Sequence, residues 1–234
     1  MIVVKEDCIL HLKNIFIDGY EYVRIVTIPD DARVCIYKNK FKSNKFFVKP
    51  RIRIYDSDLL SNEKVQKSVV KNKCDLIKYI KEPSEQIQKL AVQKDGLAIQ
   101  FIKEPSEQIQ KLAVQKDGNA IQYIKEPSDE LQKLAVQQNS NAIKHIKEPS
   151  EELQKLAVQK DGYVIVHIKE PSKELQKLAV QQNGYVIEYI NEPSEEIKKL
   201  AVQQNGYVIV HIKEPSEEIK KISFRKKWLC YFNI

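Results

Sequence analysis

From Ile80 to Lys221 apolar and polar residues follow one order, roughly I-K-E-P-S-E-E-I-Q-K-L-A-V-Q-Q-N-G-Y-V-I-V-H, that returns every 22 residues without a gap. Pro83, Pro105, Pro127, Pro149, Pro171, Pro193 and Pro215 keep the count. Self-similarity at one period marks a protein of stacked repeats, each burying its apolar face against its neighbours. In the unit that begins at Ile146, Leu153, Leu156 and Ala157 fall at i, i+3 and i+4, with Val158 widening the stripe; this predicts a helix with one buried face. Pro149 suits its first turn, Ser150, Glu151 and Glu152 suit its positive end, and either Glu148 or Ser150 can act as N-cap. Asp161 and Gly162 predict a stop through left-handed backbone. Tyr163 to Ile168 then predicts a short second helix, with Val164, Ile165 and Ile168 on one face and Tyr163, Val166 and His167 on the other.

The predicted fold class is mainly α: an α-solenoid of 22-residue helical hairpins with a small β-rich N-terminal domain. Each hairpin is a helix of about 12 residues, an Asn/Asp-Gly turn and a helix of about 7 residues. Residues 58–79 align as a degenerate first repeat, with Val65-Gln66-Lys67 and Val69-Val70 in register and Cys74 in place of the glycine. Regular repeats fill 80–211, a partial last repeat starts at Ile212 and closes the solenoid at 221, and 222–234 read as a C-terminal capping helix or tail. Residues 1–57 change pattern every few positions and are rich in Ile, Val, Tyr and Phe, as strands are. Asp18-Gly19 predicts a tight hairpin, and Arg33 to Tyr37, Phe46 to Val48 and Arg51 to Tyr55 predict short strands.

Charge changes this picture only at the ends. The net charge of +7 divides into 11 Lys/Arg against 7 Asp/Glu in residues 1–57, 25 against 25 in 58–221, and 3 against none in 222–234. The repeats are neutral, and they contain no Arg, so they make a poor track for a phosphate backbone. Cys8, Cys35, Cys74 and Cys230 lack the spacing of a disulfide framework or a zinc site. No run approaches the length of a membrane span, and the compartment read from this is cytoplasmic, or the host cytoplasm or nucleus for a viral protein.

Candidate chemistry lies where the copies disagree. The first position of the short helix runs Leu97, Asn119, Asn141, Tyr163, Tyr185, Tyr207; the fourth runs Gln100, Gln122, Lys144, Val166, Glu188, Val210; the fifth runs Phe101, Tyr123, His145, His167, Tyr189, His211. Aligned side chains down a solenoid form a ribbon, and Tyr is a favoured interface anchor. Tyr163, Tyr185, Tyr207, Tyr189, Tyr123, His145, His167 and His211 are therefore the candidate partner-binding residues, with stacking of rings between repeats as the competing role. Histidines in adjacent repeats stand about 10 Å apart at ordinary helix spacing, too far to share a metal, so no metal and no cofactor is expected. Nucleophile, phosphate-loop and metallohydrolase motifs are lacking, and helix capping explains the repeated Ser-Glu, so no enzyme is expected either. Between Ala32 and Asp56 no acid occurs, while Arg33, Lys38, Lys40, Lys42, Lys45, Lys49, Arg51 and Arg53 interleave with Tyr37, Phe41, Phe46, Phe47 and Tyr55. That composition fits a single-stranded nucleic-acid site, but the preferred reading is rings in a core beside an edge strand guarded by lysines. The tail carries Phe224, Trp228, Tyr231 and Phe232, which suits a capping helix, or a segment that lies on a membrane or partner.

With Ala201-Val202-Gln203-Gln204-Asn205-Gly206-Tyr207-Val208-Ile209 and Pro193-Ser194-Glu195-Glu196, the repeats resemble the short helical-hairpin repeats of uncharacterised proteins of giant viruses, phages and some bacteria. Residues 26–46 look like a small N-terminal module of such proteins. The resemblance implies the architecture and assigns no site. The expected function is a non-enzymatic scaffold that holds a protein or peptide against the short-helix ribbon, as a viral or phage host-interaction factor. Nucleic-acid binding through residues 33–55 and a purely structural spacer are the alternatives, and the oligomeric state is left open.

Overall fold

In the computed structural model the described residues are 2–5, 8–10, 22–23, 25–27, 29, 32–37, 40–43, 45, 47–48, 52–53 and 58–232, with side chains described for Pro29, Ala32, Arg33, Lys45 and 60–228. The chain divides into two units, Met1–Lys116 and Asp117–Ile234. The first contains helices α1 (Glu63–Asn72), α2 (Glu85–Lys94) and α3 (Glu107–Lys116). The second contains α4 (Asp129–Gln138), α5 (Glu151–Lys160), α6 (Lys173–Gln182), α7 (Glu195–Gln204) and α8 (Glu217–Phe232). A six-residue 3₁₀ helix follows each of α1 to α7. The protein is thus mainly helical and regularly repeating, as the 22-residue period predicts.

All but one of these helices start where a Ser or Asn side chain satisfies an amide that the helix cannot: Asn62 caps α1, serines cap α3 to α8, and Ser84 before α2 makes no such bond. Ser150 is the N-cap of α5, and its Oγ accepts from the Leu153 N–H at 3.3 Å. The same bond recurs at Ser128, Ser172, Ser194 and Ser216. A second contact closes the turn: Gln154 Nε2 donates to the Pro149 carbonyl at 2.9 Å, and Gln88, Gln110, Gln132 and Gln176 repeat it. In α7 a lysine replaces this glutamine, and Lys198 pairs with Glu195 at 3.0 Å instead.

The helix ends differently from the prediction. Asp161 donates its N–H to Ala157 O at 3.0 Å and leaves the helix in extended backbone, φ −153° and ψ 111°. Its carboxylate then accepts from the Tyr163 N–H at 2.9 Å, so one residue closes α5 and opens the 3₁₀ helix Gly162–His167. The long helix has ten residues rather than about twelve, and the second element is a 3₁₀ helix of six rather than an α-helix of seven. With three residues per turn, Gly162, Ile165 and Ile168 align on one inward row while Tyr163 and Val166 share an outward one.

The glycine does not enter left-handed backbone, so its expected role as a helix stop is corrected. A Cβ placed on Gly118, Gly162, Gly184 or Gly206 would lie 2.5 to 2.8 Å from a backbone carbonyl oxygen of the following helix, that of Ala135, Ala179, Ala201 or Ser223. The missing side chain lets two backbones approach. Left-handed backbone occurs instead at Glu104, Glu170, Glu192 and Glu214, with φ between 48° and 51°, each directly before a proline. A following proline disfavours right-handed helix at that residue.

The core of the repeat is equally regular. Leu153, Ala157, Val158, Val164, Ile165 and Ile168 are all buried, at 8% exposure or less. Leu156, predicted on the buried stripe, is only half-buried, and the buried set of α5 is i, i+4, i+5. Full burial of one Ile, Leu or Val side chain contributes about 1.5 to 3 kcal/mol, and the equivalent set is buried in each repeat from α1 to α6, while in the α7 repeat Ile209 is half-buried.

Before Asp58 the described backbone consists of strand segments of two to four residues. Val34–Tyr37 pairs antiparallel with Lys40–Ser43, and Ile2–Lys5 pairs with Cys8–Leu10. These fragments fall short of the compact β-rich domain expected for residues 1–57, and its hairpin tip Asp18-Gly19 lies outside the described residues.

Candidate functional site

The outward row of each 3₁₀ helix in the second unit carries the residues that differ between copies. Tyr163, Tyr185 and Tyr207 are 42%, 38% and 48% exposed, and Val166 and Val210 are 47% and 77% exposed. Tyr123, His167 and Tyr189 are exposed too, while His145 and His211 are half-buried. Val166 and Val210 belong with the candidate residues; their column was visible in the sequence, but only burial distinguishes an outward valine from a core one.

The rings are packed as well as exposed. Tyr163 meets Tyr189 edge-on, with centroids 6.0 Å apart and planes at 71°, and Tyr185 meets His211 in the same way at 6.0 Å and 77°. The contact runs diagonally, from the first position of one repeat to the fifth of the next. Edge-to-face pairs are favourable because the positive rim of one ring meets the negative face of the other. At the end of the row Lys227 Nζ lies 5.2 Å from the centroid of Tyr207, a cation-π contact. Asn141, which has no ring, interrupts the series before His167. Ring stacking and an open surface, posed as alternatives by the sequence, therefore coexist at Tyr163, Tyr185 and Tyr189.

Charge divides the face. Towards its beginning a groove is lined by Lys144, His145, Lys147, His167 and Lys169, with Glu148 as the opposing charge. The pKa of His145 is lowered, first by burial and then by the positive charges of Lys144 and His167. Further along, Val166 and Tyr189 line the next groove, and Glu188 Oε2 stands 3.5 Å from His211 Nδ1, an ion pair whenever that histidine is protonated. Among the described residues no three His, Cys, Asp or Glu side chains gather closely enough to hold a metal ion. No helix among them is long and apolar enough to cross a membrane.

The basic-aromatic candidates are not assembled by the described residues. Arg33 and Lys45 are exposed, and each has an interaction partner. Lys40, Lys42 and Arg53 are described in backbone only, within Lys40–Ser43 and Ile52–Arg53, and Lys38, Lys49 and Arg51 lie outside the described residues. Compared with protein-family models, with curated proteins and with solved structures, the chain matches none.

Proposed function

We propose that the protein is a non-enzymatic repeat scaffold whose 3₁₀ column in residues 163–211 docks a protein or peptide partner. The observation that carries this reading is the exposure of Tyr163, Val166, Tyr185, Tyr189, Tyr207 and Val210 on the 3₁₀ helices of successive repeats. Rings held edge-on against a neighbour lose little further rotamer freedom when a partner covers them, and rigid, partly buried tyrosines make effective interface anchors. The aromatic share of this row, flanked by the basic groove of Lys144, Lys147 and Lys169, suits a partner with both apolar and acidic groups. On the same reading the likeness of the repeats to those of viral and phage proteins makes a host-interaction factor in the host cytoplasm or nucleus the favoured setting.

The test replaces Tyr163, Tyr185 and Tyr207 together with Ala and compares affinity capture from host-cell extract with the wild-type chain. Helical circular dichroism is expected to hold, with the thermal midpoint lowered only as far as the lost ring contacts require, while a specific partner is lost. Collapse of the fold assigns the tyrosines to the core. An unchanged set of captured proteins removes the docking reading and leaves a structural spacer.

A further inference from the structure

Helix α8 departs from a rule that the earlier helices keep. Phe224 stands where each regular repeat has a valine, and Val92, Val114, Val136, Val158, Val180 and Val202 are 0% exposed, whereas Phe224 is 68% exposed. Trp228, one turn further on, is 58% exposed. Residues at i and i+4 share one line of a helix, so the two rings form a single apolar strip. On the helical wheel Lys220, Lys221, Arg225 and Lys227 flank that strip. The opposite side turns inward: Ile219 and Ser223 are buried, and Ser223 Oγ donates to the Gly206 carbonyl at 2.8 Å. Two cations of the rim have local partners, Lys220 with Glu217 at 2.7 Å and Lys227 with the ring of Tyr207. Lys221 and Arg225 are exposed, and no acid follows Glu218.

We propose that this face of α8 docks on an anionic lipid surface, lying in the headgroup plane with Phe224 and Trp228 inserted. Aromatic rings on one side of a helix with cations along their rim are the layout of an interfacial helix. A cluster of four to eight Lys/Arg on such a helix suits phosphatidylserine or phosphoinositide headgroups. The charge argues against the other occupants. A second copy facing through α8 would bring two cationic rims together, and a nucleic-acid duplex would give the strip of rings nothing apolar to cover. Attachment of this kind is peripheral, consistent with the absence of a spanning helix among the described residues. The proposal is independent of the docking column.

Trp228 is the sole tryptophan of the chain, so its fluorescence reports this face alone. The full chain is mixed with phosphatidylcholine vesicles, or with the same vesicles carrying phosphatidylserine, and followed by flotation and tryptophan emission. Binding and a shift to shorter wavelength are expected with the anionic vesicles only, and both are expected to fall as salt is raised. The exposed pair K221E/R225E, checked by circular dichroism, should weaken binding by about 30-fold or more, since each cation near such a surface contributes about a fivefold factor. Absence of flotation at low salt, or equal flotation of K221E/R225E, overturns the proposal. So does an emission shift that grows with protein concentration without vesicles, which would assign the face to a second copy. Tighter binding to oligothymidylate than to the anionic vesicles would assign it to nucleic acid.

Discussion

A Cβ on Gly162 would stand 2.7 Å from the carbonyl oxygen of Ala179, in the next helix of the stack. No real side chain tolerates that distance from backbone, so the two helices would have to separate. Gly162→Ala is expected to lower stability by about 1 to 3 kcal/mol, the usual range for overpacking a close contact. On an ordinary helical site the same change raises stability by about 0.5 to 1 kcal/mol. The sign of the shift in chemical denaturation therefore decides, and a stabilised variant would show that the glycine serves chain flexibility rather than approach. Ser140, at 9% exposure, and Cys74 in the degenerate first repeat occupy this place, so a Cβ has been accommodated twice.

Glu170 has φ +48° while Glu148, at the same place in the preceding repeat, does not have positive φ. Glycine relieves left-handed strain but loosens the unfolded chain at either position. Glu170→Gly should thus be about 1 kcal/mol more favourable than Glu148→Gly. Equal thermal midpoints for the two variants would contradict this.

His145 resists protonation in the fold, through burial first and then through the charges of Lys144 and His167. A base whose folded pKa lies below its unfolded value contributes stability that is fully present above the unfolded pKa, near 6.5. That contribution is lost as pH falls from there through the folded pKa. The wild-type midpoint should drop between about pH 7 and 5 by more than that of His145→Gln. Removing one cause, in Lys144→Gln, should raise the His145 pKa seen by NMR titration. A His145 pKa unmoved by Lys144→Gln would show that the lysine charge does not reach the ring.

Tyr163 and Tyr189 touch edge-on, so their contributions to stability should not add. A double-mutant cycle through Tyr163→Leu and Tyr189→Leu is expected to return a coupling of about 0.5 to 1.5 kcal/mol. The control pair Tyr123 and Tyr207, four repeats apart and with no shared contact among the described residues, should return none. Coupling indistinguishable between the two pairs would mean that the ring contact lends no rigidity to the exposed row.

The parts of the fold that repeat were readable because the letters repeat with them. Pro149 and Ser150 marked a helix start, and Leu153, Ala157 and Val158 marked its buried side, on hydrophobic spacing alone. Gly162 misled because the same letter serves two purposes, left-handed backbone and close approach, and the second depends on a carbonyl 17 residues away in sequence. Leu156 misled because Leu153, Leu156, Ala157 and Val158 spread over about 200° of the helical wheel, and only the neighbouring helix decides which edge of that stripe is covered. The six residues from Gly162 to His167 are too few to separate a 3₁₀ row from an α-helical one. In the site, the tyrosine and histidine columns were legible as variation. That Tyr163 pairs with Tyr189 rather than with His167 was not, since the pairing crosses from one repeat to the next.

Asp161 is at once the last bond of α5 and the first of the 3₁₀ helix that follows. No residue is left over at that junction, and Pro149, Ser150 and Gln154 close the other one as tightly. A single inserted or deleted residue in either place breaks a bonded joint, whereas gain or loss of 22 residues regenerates every joint unchanged. The stack can therefore change its length in whole units while its surface is rewritten letter by letter. Copy number and outward columns are the two dials on which such a protein diversifies.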